Sequence, residues 1–127
     1  MLAKVESIAV NGIDGYLVQI EVDLGGGMPS FDIVGLPDMA VREARDRVRA
    51  AITNSKLEFH FHRITVNMAP ASIKKEGSGF DLPIAIGILA AKGDVKLDKI
   101  SDTVFLGELA LDGAVRPVNG MLSMALA

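Results

Sequence analysis

The chain has 127 residues, of which 50% are apolar and 23% are charged, and its formal net charge is -3. This balance fits one globular domain spanning 1–127 and argues against a disordered chain or a coiled coil, and the acidic charge gives no general attraction to nucleic acid. The chain has no cysteine, no signal-peptide pattern and no apolar run of about 18 residues, so we expect a cytoplasmic protein without disulfides or membrane segments.

The first predicted elements are strands. Residues 3–10 and 16–22 are rich in Val and Ile and are separated by Asn-Gly and Asp-Gly, which predicts a β-hairpin. A glycine triplet at 25–27 interrupts the pattern before a third strand at 31–34. The triplet lacks the Gly-x-Gly-x-x-Gly spacing of a phosphate-binding loop, so a flexible turn is favoured there.

The first helix is predicted to begin after Pro37. Asp38 is its expected N-cap, because a carboxylate there can accept a backbone N–H at the positive end of the helix. Apolar residues at helical spacing predict its buried face, which comprises Val41, Ala44, Val48, Ala51 and Ile52.

Arg42, Arg45 and Arg49 follow one another at spacings of three and four on another face of this helix. We call these three residues the arginine ridge. The ridge is either a contact surface for DNA or a neighbouring subunit, or a solvated face paired with nearby acids, namely Asp38, Glu43 and Asp46. The second interpretation is favoured, because the acids lie at spacings that form pairs.

Residues 57–63 alternate so that His60 and His62 share one side of a strand. A His-x-His pair can bind a metal, but no third ligand lies nearby in sequence, so no metal site is predicted. A further strand is predicted at 63–69, and a polar loop at 71–79 follows it.

A second helix is predicted to begin at Asp81 as its cap, with Pro83 in the first turn. Its predicted core residues are Ile84, Ala85, Ile88 and Leu89. After a charged linker at 96–102, strands at 104–111 and 114–118 are predicted around an Asp-Gly turn. Strands that come first and later alternate with helices predict an α/β (α+β) fold, a mixed sheet with helices packed on one face.

Two segments resemble the active-site frame of Lon-type proteases: residues 75–83 (KEGSGFDLP) and 105–113 (FLGELALDG). In those proteases a serine is the nucleophile and a lysine is the base. Aligned without gaps, the nucleophile position falls on Gly79 and the base position on Leu122. Neither residue offers a hydroxyl or an amine, so the resemblance implies the frame without the catalytic dyad. It also implies a fold like the Lon proteolytic domain and the second domain of ribosomal protein S-five.

Three longer runs are similar to the N-terminal domain of magnesium-chelatase-like AAA+ ATPases, the ComM (YifB) family: residues 34–52, 63–71 and 76–85. The resemblance implies a non-catalytic accessory domain, a fragment of a longer protein that acts in DNA branch migration, recombination and natural transformation. Its implied partners are its own AAA+ module, neighbouring subunits of a homo-oligomeric ring and, for the full-length protein, DNA. ATP and Mg are implied for that protein, but the chain lacks a P-loop motif, so no cofactor site and no enzyme activity are expected in it.

Two alternatives remain open. One is a peptidase with a shifted dyad, in which Ser78 attacks and Lys74 or Lys75 acts as the base. The other is an oligomerisation module, in which the sheet edge or the arginine ridge packs on the next subunit of a ring.

Overall fold

A computed structural model describes residues 2–11, 14–57 and 63–117. Four strands form one mixed sheet in the order β1-β2-β4-β3. β1 pairs antiparallel with β2, β2 pairs antiparallel with β4, and β3 runs parallel to β4. The strands are β1 (Leu2–Asn11), β2 (Asp14–Gly25), β3 (Ser30–Val34) and β4 (Arg63–Ala69).

Helices connect and cover these strands. α1 (Met39–Arg42) and α2 (Ala44–Asn54) lie between β3 and β4, and α3 (Asp81–Lys92) follows β4. A short 3-10 turn at Leu97–Lys99 leads to a two-stranded hairpin, β5 (Glu108–Leu109) with β6 (Val115–Arg116). The predicted α/β class, a mixed sheet with helices, is confirmed. No helix among these described residues is long and apolar enough to cross a membrane.

The core lies between one face of the sheet and the helices. Strand residues alternate, so that on β2 Val18, Ile20 and Val22 are buried while the intervening side chains face the open side. The predicted apolar stripe of the first helix is buried throughout, and so are Ile84, Ala85 and Ile88 on α3. Leu89 is only half-buried, at the margin of this core. The spacing of apolar residues therefore predicted the buried faces of both helices.

α3 approaches the sheet closely at Gly87. A Cβ atom built on this glycine would lie 2.6 Å from Cγ2 of Val22 and 3.5 Å from Cγ2 of Val5. A glycine in mid-helix lowers helix propensity, and here it provides the space for close packing of helix on sheet.

The predicted strand at 104–111 is much shorter in the structure. Phe105 N donates to Glu6 O on β1 at 2.9 Å, and Gly107 N donates to Gly79 O at 2.8 Å. Because this backbone bonds to other parts of the fold, only Glu108–Leu109 pairs with the returning strand. Residues 105–107 instead join the sheet and the start of α3 to the hairpin.

Candidate functional site

The loop after β3 and the loop before α3 are joined by backbone hydrogen bonds. Lys75 N donates to Leu36 O and Asp38 N donates to Lys75 O, both at 2.9 Å. The Asp38 carboxylate completes the junction, because Oδ1 accepts from Val41 N at 2.8 Å and Oδ2 accepts from Gly77 N at 3.2 Å. Asp38 is therefore the predicted N-cap of the first helix, and it also ties that helix to the second loop.

Gly35 makes this junction possible. Its φ is 109°, and a Cβ atom there would lie 2.2 Å from the carbonyl oxygen of Met68 on β4. A side chain at this position would clash with backbone, which cannot move away as a flexible side chain can. The loop can therefore cross the end of β4 only with glycine at position 35.

A third segment closes the junction from the hairpin side. Besides the Gly107 bond to Gly79 O, Leu82 N donates to Gly107 O at 3.0 Å. Both Gly79 and Gly107 are buried. The three motif-bearing segments at 35–38, 75–82 and 105–109 thus meet in one place, which we call the motif junction.

A buried ion pair lies at the centre of the motif junction. Arg47 on α2 binds Asp81 through two contacts, Nε to Oδ2 at 2.6 Å and Nη2 to Oδ1 at 3.0 Å. Asp81 also accepts from Leu109 N at 3.0 Å, and Arg47 Nη2 donates to Ala40 O at 2.7 Å. The pair therefore holds α1, α2, α3 and β5 together.

Asp81 was predicted to cap α3, and this is wrong. Phe80 occupies the cap position, and the Asp81 side chain is fully buried against Arg47. Burial raises the pKa of Asp81, although Arg47 and the Leu109 N–H favour its ionised form. The hydrogen bond to Asp81 raises the pKa of Arg47, which stays charged.

Lys75 is the second buried charged residue. Its side chain is fully buried, and its Nζ donates to the carbonyl of Pro70 in the same loop. Burial lowers the pKa of Lys75. Its neighbour Lys74 is exposed and lies 3.7 Å from a carboxylate oxygen of Glu76. Two adjacent lysines therefore have opposite environments.

The two candidate bases of the shifted dyad contact groups other than Ser78: Lys75 Nζ donates to Pro70 O, and Lys74 Nζ pairs with Glu76. Within the described part of the chain, the structure records no hydrogen bond between the Ser78 hydroxyl and the amine of Lys74 or Lys75. A nucleophile and its base must lie within hydrogen-bond reach. Gly79 lies in the motif junction, whereas Leu122, His60 and His62 fall outside the described residues. Across the described ranges there is no cluster of three potential metal ligands.

The arginine ridge lies apart from the Arg47–Asp81 ion pair. Arg42 and Arg45 are exposed, and Arg45 donates to Arg42 O at 3.1 Å and to Phe31 O at 3.5 Å. The Arg49 guanidinium lies 6.0 Å from the centre of the Phe31 ring. Two of the three predicted acidic partners have other roles, since Asp38 binds backbone N–H groups and Glu43 pairs with Arg47 at 3.5 Å. The ridge as a contact for DNA or a subunit stays a prediction.

The sequence of this chain matches a known family. Residues 20–127 match the family model described as subunit ChlI of Mg-chelatase. The chain belongs to this Mg-chelatase ChlI family. The predicted relationship to magnesium-chelatase-like proteins is thereby confirmed.

The relatives that this chain matches are longer proteins. The chain is 49% identical over 126 residues to Competence protein ComM of Haemophilus influenzae, a match that covers 99% of the chain and 25% of that protein. It is 45% identical over 124 residues to the uncharacterized protein YifB of Escherichia coli K12, covering 98% of the chain and 24% of that protein. An uncharacterized protein of Mycobacterium tuberculosis is 44% identical over 126 residues. The chain spans about a quarter of the length of these relatives.

Proposed function

We propose that this chain is the non-catalytic N-terminal accessory domain of a ComM-type AAA+ ATPase related to magnesium chelatase. The full-length protein would act in DNA branch migration and recombination during natural transformation, as a homo-oligomeric ring in the cytoplasm. ATP and Mg would be bound by the AAA+ module, which is a different part of the polypeptide. The likeness to Competence protein ComM supports this assignment.

The observation that carries the proposal is where the charged side chains of the motif junction are bonded. The family-like motifs place their charged side chains into bonds within the chain, as Asp81 does with Arg47 and Asp38 does with two backbone N–H groups. A catalytic site needs a polar group directed towards a substrate, whereas these groups bind other parts of the same chain. Their arrangement suits a domain that positions other parts of a larger protein.

An experiment on the full-length protein tests the accessory role. We expect a variant lacking residues 1–127 to keep ATP hydrolysis by the AAA+ module and to lose most of the branch migration of a four-way DNA junction. A variant with the P-loop lysine of that module replaced by alanine is the control, and it should lose both activities. Unchanged branch migration after the deletion would contradict the accessory role.

A peptide-cleavage assay addresses the peptidase hypothesis separately. We expect no cleavage of casein by the purified chain, because both candidate bases contact other groups, Lys75 the Pro70 carbonyl and Lys74 the Glu76 carboxylate. Cleavage that disappears in Ser78→Ala but persists in Ser72→Ala, the matched control in the same loop, would establish a peptidase instead.

A further inference from the structure

The segment from the end of β3 to the start of α1 exposes large apolar side chains. Val34, Leu36 and Met39 lie within six consecutive residues, and their exposed fractions are 47%, 53% and 76%. We call residues 34–39 the apolar loop. Single exposed apolar residues are ordinary on protein surfaces, but three in one short segment mark a candidate interaction surface.

The backbone of the apolar loop is held in an unusual conformation. Leu36 has a φ of 57°, a left-handed value that leucine rarely adopts and that glycine or asparagine would adopt more easily. Its carbonyl accepts from Lys75 N, and the motif junction fixes both ends of the loop through Gly35 and Asp38. The fold thus holds a strained leucine with its side chain turned towards solvent. Packing against the described residues does not explain a leucine there.

The size of the apolar loop indicates what kind of partner it fits. A stable complex between independent proteins buries about 800 Å² on each partner, far more than a few side chains offer. A partner joined to the domain by a linker needs less surface, because the linker supplies a high effective concentration. The loop therefore suits a tethered partner better than a free protein or a second copy of this chain.

We propose that the apolar loop docks this domain onto an apolar surface of the ATPase portion of the same polypeptide, an inference that rests on the proposed function. The relatives are about four times as long as this chain, since it covers 25% of their length, so most of such a protein is available to cover the loop. A loop that is fixed before binding loses little conformational entropy on docking.

Methionine oxidation in the full-length protein tests the docking. Met39 in the apolar loop and Met28 in the turn before β3 are both exposed in this domain, by 76% and 87%. Susceptibility to hydrogen peroxide follows exposure, so with docking we expect Met39 to oxidise at least about tenfold more slowly than Met28. Both methionines lie in one tryptic peptide, residues 5–42, so tandem mass spectrometry assigns the oxidation to each site from the fragment ions and measures both rates in one sample. Equal rates in a protein that hydrolyses ATP would overturn the docking while leaving the proposed function intact.

Two variants and a dilution series identify the contact. Leu36→Gly removes the side chain but suits the positive φ, so it should raise Met39 oxidation to the Met28 rate without destabilising the domain. Leu17→Glu is the control: it alters an exposed leucine on β2, outside the apolar loop, and should leave Met39 protected. Met39 protection that persists in Leu36→Gly would overturn the proposal. Protection that disappears on dilution would also overturn it, since a second copy would then be the partner.

Discussion

Arg47 and Arg45 lie two residues apart on one helix and have opposite environments. Arg47 faces α3 with only 20% of its side chain exposed, and it binds Asp81, Ala40 O and Glu43. Arg45 faces solvent and contacts two backbone carbonyls. An arginine on this helix therefore contributes to the fold when a buried carboxylate faces it, whereas exposed arginines are available for other contacts.

The largest expected effect comes from breaking the buried pair. Arg47→Ala leaves the Asp81 carboxylate buried without its partner, and we expect the free energy of unfolding to fall by about 3–5 kcal/mol. Urea denaturation followed by circular dichroism measures the change. Arg45→Ala is the matched control, with an expected change within about 0.5 kcal/mol.

A double variant separates the pair from its surroundings. Arg47→Met combined with Asp81→Leu removes both charges together, so it should lie closer to the wild type than Arg47→Ala does. If Arg47→Ala and Arg45→Ala lowered stability equally, the contrast between the two sides of the helix would be wrong.

A second comparison uses apolar residues. Ile84 on α3 is fully buried and Leu97 is exposed. Truncation of Ile84 to Ala should lower the free energy of unfolding by roughly 2–4 kcal/mol, because it leaves a cavity in a packed core. Val48, Ile64 and Ile88 are buried in the same core and should behave alike. Leu97→Ala is the control, and an equally large shift of its denaturation midpoint would contradict the assignment of the core.

The two adjacent lysines sharpen the comparison further. Burial holds the pKa of Lys75 in the folded domain below 10.5, the ordinary value that applies in the unfolded chain. At pH values between the folded and the unfolded pKa, the unfolded chain therefore binds more protons than the folded domain. The contribution of Lys75 to the free energy of unfolding therefore rises as the pH increases between these two pKa values. Below the folded pKa, the full cost of burying the charged amine lowers stability. Lys75→Met should remove this rise and increase the free energy of unfolding near neutral pH, because folding no longer buries a charged amine.

The measurement is urea denaturation at several pH values below 10.5. Lys74→Met is the control, because this exposed lysine should leave the pH dependence as it is in the wild type. A Lys75→Met protein with an unchanged pH profile would show that the buried amine is not the source.

The smallest expected effect concerns DNA. The chain is acidic, and three ridge arginines neutralise few phosphates, so we expect binding no tighter than about 10⁻⁴ M at physiological salt. Fluorescence anisotropy with labelled single-stranded and branched DNA at two salt concentrations checks this. Micromolar binding that is abolished by Arg42→Glu with Arg49→Glu, but kept in Lys74→Glu, would establish the ridge as a DNA contact.

Two aspartates show how far the sequence could predict the site. Asp38 was correctly predicted as a cap, because capping depends on the next three residues of the chain. Asp81 has the same local pattern, but its partner Arg47 lies 34 positions away, and a buried bidentate pair replaces the cap. The spacing of Glu43 and Arg47 indicates at most a surface pair. Only the packing of α2 against α3 creates the buried one.

The same reasoning applies to Lys75 and to the last predicted strand. Nothing local distinguishes Lys75 from Lys74, since burial of one amine depends on how the loop folds back onto Pro70. The strand at 104–111 has a suitable composition, but its backbone bonds to Glu6 and Gly79 instead of continuing the hairpin. The sheet and the buried helix faces were predictable because their apolar periodicity reflects one core.

Gly87 has a consequence for how this sequence can diverge. Glycine in mid-helix costs about 1 kcal/mol relative to alanine, so replacement by alanine is the usual route to a more thermostable helix. Here the added methyl group would lie 2.6 Å from Cγ2 of Val22, so that route is open only together with a smaller residue at position 22. The two positions are therefore epistatic. In a library selected for heat resistance, alanine at position 87 should appear only in clones that also carry a residue smaller than valine at position 22.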